Sequence, residues 1–158
     1  MTITLTVEFA PHHTVCSADG VSFTLPVGPH TLAGMLDGDP PSPESLTNAI
    51  GLLSDHLEDV SREVPAAALA DEVDLFGTGL HTVVSVEAGA SVALPTTLTR
   101  AAAEELFRAL ATESRADRAH NPGLPLEEVH TVLGACCAVV AVFRRLDRQE
   151  LTVREGAR

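Results

Sequence analysis

The chain contains no lysine, no tryptophan and no tyrosine, and only five phenylalanines in 158 residues. Without lysine, arginine is the sole permanent cation, and ten arginines face twenty-two acids for a net charge of −12. Nineteen of the acids but only five of the arginines precede residue 144. The field around most of the molecule therefore repels nucleic acid, polyphosphate and anionic lipid. Cysteine is scarce and odd in number, and Cys136 and Cys137 are adjacent on a predicted helix, where a vicinal disulfide would be strained. All three cysteines, Cys16 included, read as reduced thiols filling core space in a cytoplasmic protein. No basic segment followed by an apolar run opens the chain, and the longest apolar stretch, residues 132–143, is too short to span a bilayer. Neither nucleic acid nor membrane is expected as a partner. The remaining arginines, Arg144, Arg145, Arg148, Arg154 and Arg158, read as cations complementing a helix C-terminus rather than as a binding patch.

The length suits one domain spanning residues 1–158. Alternating residues predict strands at 2–10, 13–18 and 21–27, with Asp19-Gly20 in the hairpin turn between the last two. Residues 28–41 read as a wandering loop. Ser42 as N-cap, Pro43 at the first helical position and Glu44 then start a helix through 63, with Leu46, Ile50, Leu53 and Leu57 on its apolar stripe. A fourth strand at 72–76 runs into Gly77-Thr78-Gly79 and a short helix. Thr99 caps a further helix to 112, and Pro125 opens a buried one to 146. Residues 151–153 close the order as a fifth strand. The expected fold is α/β and ribonuclease H-like, β-β-β-α-β-α-α-β, with a mixed five-stranded sheet.

Five segments in register resemble the exopolyphosphatase and guanosine pentaphosphate phosphohydrolase (Ppx/GppA) family, within the actin-like ATPase superfamily. They are VEFAPHHTV (7–15), TLPVGPHTLAG (24–34), GDPPSPESL (38–46), FGTGLHTVVSV (76–86) and the run from 128 to 158 containing RRLDRQELTV. The family carries motifs like VDIGGGSTE, SLDIGAVRLTE, DPPTPEEL, GVGGTATTLA and RRLGLDELTVSEGG at these places. The resemblance covers the second of the family's two lobes, and implies a phosphate loop at 10–15 and a nucleotide turn at Gly77, Thr78 and Gly79. In this sequence Ala10, Pro11 and His12 stand at the glycine triple, His13 at the serine and Val15 at the glutamate. Thr31, Ala33 and Gly34 replace an arginine, a threonine and a glutamate. His130 replaces an aspartate. Glu8 matches the metal-side aspartate, Thr14 is unchanged, and Gly28 stands at the glycine of the second segment.

Glycines at a phosphate loop let bare amides close on the anion; Pro11 has no N–H, and the bidentate anion clamp has no arginine. The expectation is a vestigial phosphate site at Glu8, His12, His13, Thr14 and Gly28, and a catalytically degenerate lobe without a cofactor. Such a lobe would act as a homodimer or protein-binding module through the face that would meet a first lobe, with stretches 66–70 and 83–86 as contacts. The alternative is hydrolysis of polyphosphate or pppGpp with Mg²⁺ and a first lobe supplied in trans. The histidines read as polar residues of a vacated groove, the alternative being a zinc, iron or nickel site of Glu8, His12, His30, His81 and His130.

Overall fold

The computed structural model describes residues 2–156, so Arg158 of the C-terminal arginine group lies outside the described residues. Asp19 and Gly20 both have positive φ, 53° and 79°, as the two central positions of a type I′ hairpin require. That turn joins β2 (Thr14–Ala18) to β3 (Val21–Leu25), and β2 runs antiparallel to β1 (Thr4–Phe9). Beyond β1 the sheet becomes parallel: β4 (Glu72–Gly77) pairs with β1, and β6 (Glu150–Val153) pairs with β4. The edge strand β5 (Thr96–Thr99) is antiparallel to β6, completing the order β3-β2-β1-β4-β6-β5.

The steps from β1 to β4 and from β4 to β6 advance the same way across the sheet, so right-handed crossovers put their helices on one face. Leu5, Val7, Phe9, Val73, Leu75, Leu151 and Val153 are buried on that face. Over them lie α1 (Pro29–Met35), α2 (Pro43–Leu57), α4 (Leu80–Ala88), α5 (Arg100–Ala111) and α7 (Val132–Leu146), in one hydrophobic core. Every residue from Val132 to Phe143 is buried, as the apolar composition of that helix predicts. The other face is polar. Thr4, Thr6, Glu8, Ser17, Asp74 and Thr152 alternate with the core residues and stay at least partly exposed, and the Thr6 and Ser17 hydroxyls meet at 2.6 Å.

Four sequence expectations are corrected. The sheet has six strands rather than five, because TTLT at 96–99 carries one apolar residue, too few to show alternation. Residues 29–35 form a helix where a loop was expected; Gly28-Pro29 is its start signal. The helix from Ser42 ends at Leu57, where Asp59 N–H turns back to the His56 carbonyl at 3.1 Å, and α3 (Val60–Glu63) follows separately. After Pro125 a single 3-10 turn, Leu126–Glu128, precedes α7. A fifth correction concerns partners: Val83, Val84 and Val86 are buried in the core and unavailable for docking, whereas Leu69 in the 66–70 stretch is exposed.

Two ties, one of them long-range, hold the helical layer. Asp39, in the DPP segment, accepts from Arg115 N–H at 2.6 Å, at the start of α6 (Arg115–Arg118). Arg118 is buried and donates to the carbonyls of Leu110, Glu113 and Val129, joining the end of α5 to the approach to α7. The three cysteines are buried and free, and burial pushes the Cys16 and Cys137 thiols up to about 12. Among the described residues no helix is long and apolar enough to cross a membrane. Arg118→Ala would strand three helix-end carbonyls. It should lower unfolding free energy by about 2–4 kcal/mol, read as a reduced denaturant midpoint at unchanged slope.

Candidate functional site

Because β1, β4 and β6 are parallel, their C-terminal ends lie together, and ligands of open α/β sheets bind outside those ends. Three segments converge there: the turn at 10–13 after β1, Gly77-Thr78-Gly79 after β4, and residues 154–156 after β6. Two clefts open among them. The larger, about 700 Å³, is lined by Gly77, Leu80, His81, Arg154 and the loop at 91–94. The smaller, about 280 Å³, lies between His30, Thr78, Gly79, Glu128 and Thr131.

The turn at 10–13 is closed on itself. Ala10 N–H donates to the His13 carbonyl at 2.9 Å, Pro11 has no N–H, and the Pro11 carbonyl accepts from His30 N–H at 2.8 Å. Gly28 explains this packing: a Cβ there would lie 2.3 Å from the Ala10 carbonyl oxygen and 2.6 Å from that of Pro11. Gly28 is thus needed for the turn to dock on the start of α1. The Thr31 hydroxyl accepts from Gly28 N–H at 3.2 Å and contacts His12 Nδ1 at 3.1 Å. The rings of His12 and His30 meet edge to face with centroids 6.1 Å apart. Residue 31, where the resemblance places an arginine, is instead part of the clasp that holds the turn.

Glu8 and Thr14, the two conservative positions, are separated by the sheet itself. Cross-strand partners share a face: Glu8 pairs with Val15, and Thr14 with Phe9. Glu8 therefore stands on the polar face, while Thr14 points into the core. Thr14 is fully buried, and its hydroxyl donates to the Val27 carbonyl at 2.7 Å. An oxygen so placed ties β2 to the segment after β3 and is turned away from any ligand at the strand ends.

The glycine turn also answers to packing. Gly77 has φ 107°, and a Cβ there would fall 2.1 Å from the Phe9 carbonyl oxygen, which accepts from Thr78 N–H at 2.9 Å. Gly79, φ 83°, is the N-cap of α4 and abuts the Ala135 side chain. The two glycines let β4 turn beside the end of β1 and under α7.

The five expected metal-side residues are not assembled. Glu8 is on the polar face, His12 and His30 are at the clasp, and His81 Nε2 contacts the Val92 carbonyl at 2.9 Å in the larger cleft. His130 is exposed before α7, as is His13 in its turn. Among the described residues no three His, Cys, Asp or Glu side chains gather as a metal cage. Of these histidines only His12 and His30 meet; His81 lies in the larger cleft, and His130 stands apart before α7.

Sequence reasoning missed Glu128 at the strand ends, and read Arg154 as a cation complementing a helix C-terminus, whereas it follows β6. Arg154 Nε donates to Asp74 Oδ2 at 2.8 Å, fixing the guanidinium at the mouth of the larger cleft. Glu128 accepts from the Thr82 hydroxyl at 2.6 Å, which secures the approach to α7 beside the smaller cleft. Neither belongs to a short motif; each pairing spans more than forty residues of sequence.

A three-stranded meander extended by parallel strands, with a glycine turn at the strand ends, is the ribonuclease H-like arrangement expected from the sequence, with one added edge strand. Solved structures agree. The chain superposes on a Ppx/GppA phosphatase from Aquifex aeolicus with a TM-score of 0.85 at 15% identity, covering 99% of this chain and 54% of that one. An exopolyphosphatase-like protein gives 0.84 at 17% identity, covering 96% and 55%. An exopolyphosphatase from Cytophaga hutchinsonii gives 0.78 at 13% identity, covering 98% and 53%. The chain thus spans about half the length of the structures it matches, and shares their fold. No protein-family model and no curated protein matches the sequence.

Thr14→Val keeps the shape of the side chain but removes the donor to Val27, and should cost about 1–2 kcal/mol in equilibrium unfolding. Thr14→Ser, which retains the hydroxyl, should recover most of that loss.

Proposed function

We propose that this Ppx/GppA-like lobe is catalytically degenerate and acts through protein contacts, as a homodimer or partner-binding module, without a cofactor. The observation that carries this reading is the clasped turn at 10–13. Phosphate binding at such a loop needs several amides converging on one anion. Here the Ala10 amide is engaged by His13, Pro11 offers none, and Gly28 fixes the turn in that conformation. Thr14 is sequestered in the core. The acid excess adds repulsion toward any polyanionic substrate.

A second reading is a phosphohydrolase acting on polyphosphate or pppGpp, with a first lobe supplied by another chain. The observation favouring it is the cleft of about 700 Å³ at the strand ends, with Arg154 at its mouth. In that reading the other lobe supplies further carboxylates for Mg²⁺.

Incubation with Mg²⁺ and polyphosphate or pppGpp separates the two. The degenerate reading predicts no phosphate release above the buffer rate. Turnover that disappears in Glu8→Ala protein would replace it with the hydrolase reading.

A further inference from the structure

We propose that the groove between α4 and α5 is a docking site for a basic amphipathic helix of another protein. This names the surface and the chemistry of the partner for the protein-contact role above, and rests on that reading.

The groove, about 400 Å³, lies toward the C-terminal end of α4, the end away from the glycine turn. Val86 and Leu106, both largely buried, form its floor, and Ala101, Ala102 and Ala109 line it on the side of α5. Ala102, Glu105 and Ala109 recur at spacings of three and four, so they stand on one face of that helix. Methyl side chains there leave room for another helix to approach closely.

Two carboxylates, Glu87 and Glu105, flank this apolar strip. Among the described residues neither has an ion-pair partner. Cations stand nearby but act on a different acid: Arg100 and Arg144 pair with Glu104, and Arg108 favours the charged form of that same carboxyl.

Glu87 is also ill-placed for its own helix. It sits in the last turn of α4, one residue before the end at Ala88, where the carbonyl end of the helix favours a cation and disfavours an acid. No basic residue occupies that turn. A cation brought from outside would therefore compensate both carboxylates and the helix end together.

A helix that lays small apolar side chains on the strip and sets lysine or arginine on its flanks supplies that charge, in the helix-in-groove mode of recognition. The net charge of −12 draws such a segment in from a distance. A second copy of this chain is a poor occupant. It carries the same acid excess, and its arginines are mostly engaged: Arg62, Arg100, Arg144, Arg145 and Arg154 are in ion pairs, while Arg118 and Arg148 hold backbone carbonyls.

The probe is an amphipathic model helix of about eighteen residues built from leucine, alanine and lysine. Titrated into the protein, it should give saturable amide shifts at Glu87, Ala101, Ala102, Glu105 and Ala109. Glu87→Gln combined with Glu105→Gln should weaken binding by about tenfold or more and flatten its salt dependence. Asp55→Asn combined with Glu72→Gln removes the same charge from two other exposed positions, and should leave the affinity within about twofold of wild type. Glu87→Gln alone should leave the unfolding midpoint unchanged or raise it, so that weakened binding is not mistaken for misfolding.

Equal weakening by the two double variants, or shifts spread over the acidic surface without saturation, overturns the proposal. So does spermine, a cation without an apolar face, if it gives the same shifts at the same affinity. A dimer of the protein alone, seen by sedimentation and dissociated by the Glu87→Gln and Glu105→Gln pair, would make a second copy the occupant and overturn it as well. Such failures leave the protein-contact reading to another surface; failure of that reading shows separately, as phosphate release.

Discussion

The close crossing of α1 over α7 at Gly134 is the constraint from which the rest of the strand-end geometry follows. A Cβ on Gly134 would lie 2.4 Å from the Pro29 carbonyl oxygen and 2.6 Å from Ala33 N. With only hydrogen there, α1 settles onto the buried central helix, and its first residues come within reach of the turn after β1. Gly28 then lets the Ala10 and Pro11 carbonyls approach, and His30 N–H takes the Pro11 carbonyl. At the next residue of α7, Ala135 abuts Gly79, so the same helix also sets the glycine turn after β4. Both turns are thus shaped from the core outward, by helix packing, and their glycines are accounted for by backbone contact.

The parts of this fold that could be read from the sequence are those whose signal is local. The type I′ hairpin at Asp19-Gly20, the Ser42 cap with Pro43, the Thr99 cap and the apolar length of α7 each depend on a few adjacent residues. The parts that were missed depend on partners far away. β5 exists because β6 offers it an edge, and its own residues carry one apolar side chain. α1 has a clear start signal in Gly28-Pro29, but its glycine-rich surroundings read as loop until α7 is present to pack against. The end of α2 near Leu57 is a hydrogen-bond detail that propensity does not resolve.

At the candidate site the segments at 10–15 and 77–79 lie at one end of the sheet, but the residues expected to act together do not share a face. Glu8 and Thr14 flank one turn, yet the hairpin register puts them on opposite sides of the sheet. The histidines likewise scatter: His12 and His30 meet at the clasp, His81 lines the larger cleft, and His13 and His130 are exposed. Strand alternation together with the pairing register was the signal that could have separated Glu8 from Thr14; the register comes only with the folded sheet. Arg154 and Glu128 stayed hidden because each is defined by a contact distant in sequence, and Arg118 because its three acceptors are backbone carbonyls, which leave no side-chain signal.

The central claim is that the turn after β1 cannot close on phosphate. Amide resonances of Ala10, His12, His13 and Gly28, followed during titration with tripolyphosphate and Mg²⁺, test it most directly. The account predicts no saturable shift at these four amides. A saturable shift shared by them, with affinity that weakens as salt is added, would contradict it.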